Sequence, residues 1–204
     1  MYSPGNILST NLKTGHSLNL PRTNCTPTKN CAHCCYGRIG HTCLPDATKK
    51  AAYVSEYLSG MDIARLVDEC RQLTTVRLSG VGDLLTAHIP NILSLANQCP
   101  QTMFWGMTRK LPIAYALQGV KNIRLMVSVD SSSPKKTWAY NGSPLCYGPR
   151  LANDQVPNDK RILTVFPYHF TGTVVINMPH HKKDCQAVWH SISGCHACGR
   201  CWNW

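Results

Sequence analysis

A chain of 204 residues, 43% hydrophobic and only 15% charged, is long enough to bury a core and fits one domain with a small appendage. The formal net charge is +11 and its basic pairs (Lys49–Lys50, Arg109–Lys110, Lys135–Lys136, Lys182–Lys183) are scattered along the chain, so it reads as a solvated basic face or a nucleic-acid contact, not a polybasic tail. No apolar run has the length of a membrane span and no charged-then-apolar leader is visible, so a cytoplasmic protein without membrane contact is expected.

In chain order, residues 1 to 24 are polar with a few apolar positions, and Ser17 to Leu20 is the candidate first strand. A loop of four cysteines follows. Asp46 then reads as an N-cap, with Ala47, Ala51, Val54 and Leu58 at helical spacing up to Gly60. Asp62 caps a second helix carrying Ile63, Leu66, Val67, Cys70 and Leu73.

Thr75 to Ser79 reads as a strand ending in the turn Gly80-Val-Gly82-Asp83. Leu85, Ile89, Ile92, Leu93 and Ala96 make a helix with Pro90 near its first turn. Thr102 to Thr108 is a strand ending at Arg109–Lys110, with Trp105 expected in the core. A short helix runs from Pro112 to Gly119, and Ile123 to Asp130 is the next strand, closed by three serines and Pro134.

Helix and strand alternate from residue 46 onward, which predicts an α/β fold of parallel strands with right-handed crossovers. About 200 residues are too few for an eight-unit (β/α) barrel. Residues 135 to 160 are rich in Pro, Gly, Asn and Asp and read as an irregular lid. Arg161 to Phe170 and Thr173 to Met178 read as late strands. The expected division is a barrel-like body over residues 1 to 179 and a cysteine-rich tail over 180 to 204.

Each strand ends in a polar or glycine motif, and α/β proteins build sites at the carboxyl ends of strands. The cysteine loop belongs on that rim if the first strand joins the sheet. Cys25, Cys31, Cys34 and Cys35 crowd into eleven residues, and thiolates that converge repel one another unless a cation sits between them. An iron–sulfur cluster is the first reading; zinc held by three cysteines with His33 or His41 is the other. In the tail, Cys185, Cys195, Cys198 and Cys201 offer four thiolates for a second cluster or a zinc site, with His180, His181 and His196 as bystanders. Cys70 and Cys99 lie in apolar helical patterns and are expected as buried small hydrophobes, while Cys43 and Cys146 have no assigned role. Without further context, Asp83 reads as a helix cap and Asp130 as a turn former.

Four stretches in this order resemble the radical S-adenosylmethionine (SAM) superfamily, and above all its short phage- and plasmid-associated Gp88-like members. They are the loop ending in Cys35–Tyr36, the strand and turn Val76 to Leu85, the strand Leu125-Met-Val-Ser-Val-Asp130, and the tail Cys195-His-Ala-Cys-Gly-Arg-Cys-Trp202. The spacing departs from the superfamily pattern of three residues then two. Five residues separate Cys25 from Cys31, three separate Cys31 from Cys35, and Val81 displaces the second glycine of the usual motif.

The resemblance implies a partial (β/α) barrel and a [4Fe–4S] cluster held by Cys25, Cys31 and Cys35, with Cys34 as the alternative third ligand. It implies an open iron that chelates SAM, near Gly80, Gly82, Asp83, Ser128 and Asp130, with Asp83 close to the SAM amino group. It also implies a reductant such as flavodoxin or ferredoxin, and a 5′-deoxyadenosyl radical acting on an unnamed substrate. The competing reading is a non-catalytic, zinc- or cluster-stabilised nucleic-acid-binding protein.

Overall fold

Apolar positions two apart along the strands and three or four apart along the helices sort the side chains into two layers. The computed structural model describes residues 3–11, 14–60, 62–150 and 154–167. Its strands are β1 (Ser9–Asn11), β2 (Gly15–Ser17), β3 (Thr75–Leu78), β4 (Met103–Thr108), β5 (Ile123–Val129), β6 (Leu145–Arg150) and β7 (Ile162–Pro167). Its α-helices are α1 (Lys29–His33), α2 (Pro45–Ser59), α3 (Ala64–Cys70), α4 (Ile89–Gln98), α5 (Leu111–Leu117) and α6 (Lys135–Trp138).

The seven strands form one sheet in sequential order, β1 to β7. Only the β1–β2 pair is antiparallel; every later neighbour is parallel. Among the described residues β1 and β7 are the two edges, so the sheet is open and not a closed barrel.

The layer order follows from which side chains each strand buries. Val76, Leu78, Phe104, Ile123 and Leu125 enter a core with Val54 and Leu58 of α2, Leu66 of α3, Ile92 and Leu95 of α4, and Leu117 of α5. Each fully buried Leu, Ile or Val stabilises the fold by about 1.5–3 kcal/mol. Trp105, Met126 and Cys146 point to the opposite face with Met103, Met107 and Leu163. Cys70 and Cys99 are fully buried in the helix-side core, as their patterns predict.

Several sequence expectations need correction. Asp46 does not cap α2: Pro45 occupies the first turn, Leu44 is the N-cap without a side-chain bond, and Asp46 lies one step inside, where the helix dipole favours it. Asp62 does act at the next helix start, accepting the Ala64 N–H at 2.8 Å. The first strands are β1 and β2, earlier than Ser17–Leu20. Leu18 and Leu20 continue extended beyond β2, held by Leu18 N to Arg77 O at 2.9 Å and Leu20 N to Val81 O at 2.8 Å.

Residues 135 to 160 are not wholly irregular, because they contain α6 and β6. Gly148 and Pro149 hid that strand from a propensity reading. The late strand at 162–167 is present; its continuation and the strand expected at 173–178 lie outside the described residues, as do the four tail cysteines. No helix among the described residues is long and apolar enough to cross a membrane.

A candidate metal centre on the carboxyl rim of the sheet

The chain after Leu20 runs across the ends of the central strands. α1 has five residues, too few to be stable alone, so its placement depends on anchors. Thr28 is its N-cap, accepting the Cys31 N–H at 3.2 Å. The same hydroxyl donates to Asp130 Oδ2 at 2.5 Å. Asn30 adds a backbone N–H bond to Ser132 Oγ at 3.2 Å and a side-chain bond to Ser131 Oγ at 2.8 Å. Four bonds therefore cap the Cys31 helix and seat it on the end of β5. On the other side of the loop, Tyr36 Oη donates to the carbonyl of Gly80, beyond β3. Upstream, Asn24 Nδ2 donates to Ser55 Oγ on α2 at 3.0 Å, which fixes the approach to Cys25.

Asp130 is fully buried and fully engaged. Its Oδ1 accepts the Ser132 N–H at 2.9 Å and the Ser132 hydroxyl at 3.0 Å, and its Oδ2 pairs with Arg109 Nη2 at 3.0 Å. Arg109 also donates to the carbonyls of Ser128 and Gly148, at 3.3 and 2.5 Å. It lies against Cys31 as well: burial raises the Cys31 pKa, and the charge and hydrogen bond of Arg109 oppose that rise. Sequence reading noted Arg109 only as part of a polar strand end and gave it no role. The sequence carries no local signal for this pairing, because Arg109 and Asp130 follow different strands and meet only where β4 and β5 lie side by side.

Burial also pushes the Cys25 thiol up to about 11, and the negative field of Asp83 adds to it before those of Cys31 and Cys35, with Lys110 opposing. The Tyr36 hydroxyl is raised by burial and feels Cys25, Cys35 and Cys31, although more than half of the residue's surface is exposed. Cys25, Cys31 and Cys35 thus share one electrostatic neighbourhood, and each is partly accessible. Cys34 is buried at the C-cap of α1, 7% exposed. His33 lies in α1 and His41 in a short turn at Gly40–Cys43.

Among the described residues, no three His, Cys, Asp or Glu side chains meet closely enough to enclose a single ion. A cubane cluster asks something different of its thiolates: each binds a separate iron, so the sulfurs surround the cluster and do not meet at a point. Cys25, Cys31 and Cys35, each partly accessible on one rim, are the thiols that such a donor set would draw on.

The glycine turn is packed by the protein itself. A Cβ on Gly80 would lie 2.4 Å from Asn19 Oδ1, and one on Gly82 would lie 2.3 Å from the carbonyl oxygen of Leu20. Gly82 also has a φ of 78°, which glycine alone adopts without strain. Both glycines therefore let residues 17–21 lie against the end of β3. Asp83 is 4% exposed and accepts from Thr108 Oγ1 at 2.9 and 3.0 Å and from the Arg109 N–H at 3.2 Å. It caps no helix: it ties the end of β3 to the end of β4. Burial raises its pKa and the Thr108 bond opposes that rise. Ser128 bonds to Gly148 O at 3.4 Å.

The rim thus brings together Cys25, Cys31, Cys35, Gly80, Asp83, Ser128 and Asp130 through Thr28, Tyr36, Thr108 and Arg109.

These features define a class: an α/β protein with an open, mostly parallel sheet and a thiol-bearing loop across its carboxyl rim. The chain belongs to the gene product 88 family, whose family model matches residues 5–203. Neither the curated proteins nor the solved structures yield a match.

Proposed function

We propose that this chain is a radical SAM-like iron–sulfur enzyme. The observation that supports the reading is the seating of Cys25, Cys31 and Cys35 over the ends of β3 to β5 by the Thr28, Asn30 and Tyr36 bonds. The sequential strand order supports a partial (β/α) barrel, whose carboxyl rim is where such sites are built.

In this reading Cys25, Cys31 and Cys35 hold the loop cluster. Such a cluster, when bound, supplies the electron that cleaves SAM reductively to a 5′-deoxyadenosyl radical. The chain's own residues prepare the site. Arg109 donates toward Cys31 and neutralises buried Asp130, which in turn orients Thr28 and the α1 N-terminus. Ser128 and Asp130 mark the β5 edge of the SAM cleft, and Gly80, Gly82 and Asp83 mark its β3 edge. Because the Asp83 carboxylate is spent on Thr108 and Arg109, it shapes that edge and has little capacity left for a ligand. Cys185, Cys195, Cys198 and Cys201 supply a second cluster or a zinc site. A flavodoxin or ferredoxin serves as reductant, and the substrate stays open.

Anaerobic purification with metal and sulfide analysis tests this. The expected protein is brown, contains iron and sulfide, and shows a reduced-cluster magnetic resonance spectrum that shifts when SAM is added. A colourless protein with zinc and no sulfide would overturn the enzyme reading in favour of a metal-stabilised, nucleic-acid-binding protein.

A further inference from the structure

The face of the sheet opposite the helices carries a cation that, among the described residues, meets no hydrogen-bond acceptor stronger than a sulfur. Arg77 sits on β3 between Val76 and Leu78, both of which enter the helix-side core, so its own side chain crosses to the other face. It stands in register with Trp105 on β4. Its guanidinium carbon lies over the Trp105 ring, 5.3 Å from the ring centre and within cation–π range. Nε is enclosed and has no hydrogen-bond partner. Nη2 reaches only the Met107 sulfur, a weak acceptor, at 3.9 Å. The described ion pairs employ Lys49, Arg71, Arg109 and Arg161, and Arg77 joins none of them.

Buried donors are almost always satisfied, and a guanidinium held over an indole yet without an ion pair among the described residues suits an acceptor that arrives from outside. We infer that Arg77, held over Trp105, is a binding subsite for an oxyanion, the carboxylate or phosphate group of a small molecule. A guanidinium fork presents two parallel donors, which match the two oxygens of either group. A small molecule fits better than a nucleic-acid backbone. Polyanions bind through several exposed cations, whereas this one is recessed between Trp105 and Met107, with its Nε closed off. Arg77 lies three residues before Gly80, whose carbonyl accepts the Tyr36 hydroxyl of the cysteine loop, so the subsite sits near the candidate metal centre. The inference does not depend on the cluster reading: a zinc-containing chain would carry the same arginine.

The test is thermal melting and calorimetric titration of the full chain as purified, at constant ionic strength, with inorganic phosphate or acetate replacing chloride. The wild-type protein should gain melting temperature in a saturable way with at least one of the two probes, and which one identifies the group. Arg77→Met should melt higher than wild type in chloride, since a recessed unpaired charge is gone, and should lose the response to both probes. Arg77→Lys keeps the charge without the fork and should bind the responding anion about tenfold more weakly. Three results would overturn the subsite: no saturable response in the wild type, an unchanged response in Arg77→Met, or an Arg77→Met chain that fails to fold while Arg77→Lys binds like wild type. The last would make Arg77 a structural cation.

Discussion

Ser79, the residue between β3 and the glycine turn, has a φ of 56°. A side chain in the left-handed region costs about 1–2 kcal/mol, and strain of this kind persists where the surroundings over-determine it. Its Oγ returns little, a 3.4 Å bond to Met107 O. Ser79→Gly should therefore raise stability by about 1 kcal/mol, read as a higher melting temperature. If the variant is less stable, the hydroxyl bond outweighs the strain.

His88 is a second informative residue. It is fully buried, and its Nδ1 accepts the Leu85 N–H at 3.2 Å, so the proton sits on Nε2 and points to Ser55 Oγ at 3.2 Å. Ser55 in turn receives Asn24, next to Cys25. Burial lowers the His88 pKa below 6.5, and Lys110 adds to that. The unfolded chain therefore takes up a proton that the folded chain refuses. The contribution of His88 to stability is present above about pH 6.5 and is lost as pH falls toward the depressed folded value. Denaturant midpoints measured from pH 7.5 to 5 should fall, and should fall less in His88→Gln. An equal slope in the variant would assign the acid sensitivity to other groups.

At the scale of elements, α1 decides which thiols face the site. Cys34 closes the helix and is buried, whereas Cys35 begins the next turn, is partly accessible and acts on both Cys25 and Cys31. Sequence spacing could not separate two adjacent cysteines, because their difference arises only when the helix ends. Under the proposed function, Cys35→Ala should lose loop iron in anaerobic preparations. Cys34→Ala should keep it while melting lower, since it leaves a small cavity. Iron lost only from Cys34→Ala would reverse the assignment.

β1 and β2 escaped a pattern reading for a related reason. Ser9-Thr-Asn11 and Gly15-His-Ser17 are short and polar, with no alternation to detect. They form because their neighbours are buried: Ile7 and Leu8 enter the core, and their N–H groups bond to the Glu69 carboxylate at 2.7 and 2.8 Å.

At the scale of the molecule, the basic charge is not all a solvated face. Of the scattered pairs, Arg109 and Lys110 are drawn inward. Arg109 retains 12% side-chain exposure in its pair with Asp130, and Lys110 Nζ donates to Leu84 O at 2.8 Å. Part of the positive charge is therefore spent on holding strand ends together, beside thiols whose ionised forms it favours.

The central strands β3, β4 and β5 and the helices between them were legible in the sequence, because burial on one or both faces demands apolar runs of fixed period, and polar residues end them. The cysteine loop stood out in the sequence as a candidate site by its density of thiols, and the structure places it on the carboxyl rim of the sheet. What the tertiary structure decided is who partners whom. Asp83 looked like a cap and bonds to Thr108 on the next strand; Arg109 had no assigned role and joins Asp130 to Cys31; Gly80 and Gly82 looked open to a ligand and are filled by residues 17–21. Periodicity is a local property that each segment carries in its own residues. A hydrogen-bond partner or a neighbour at a Cβ is chosen across long stretches of chain, 102 positions between Thr28 and Asp130, and exists only once the sheet has assembled.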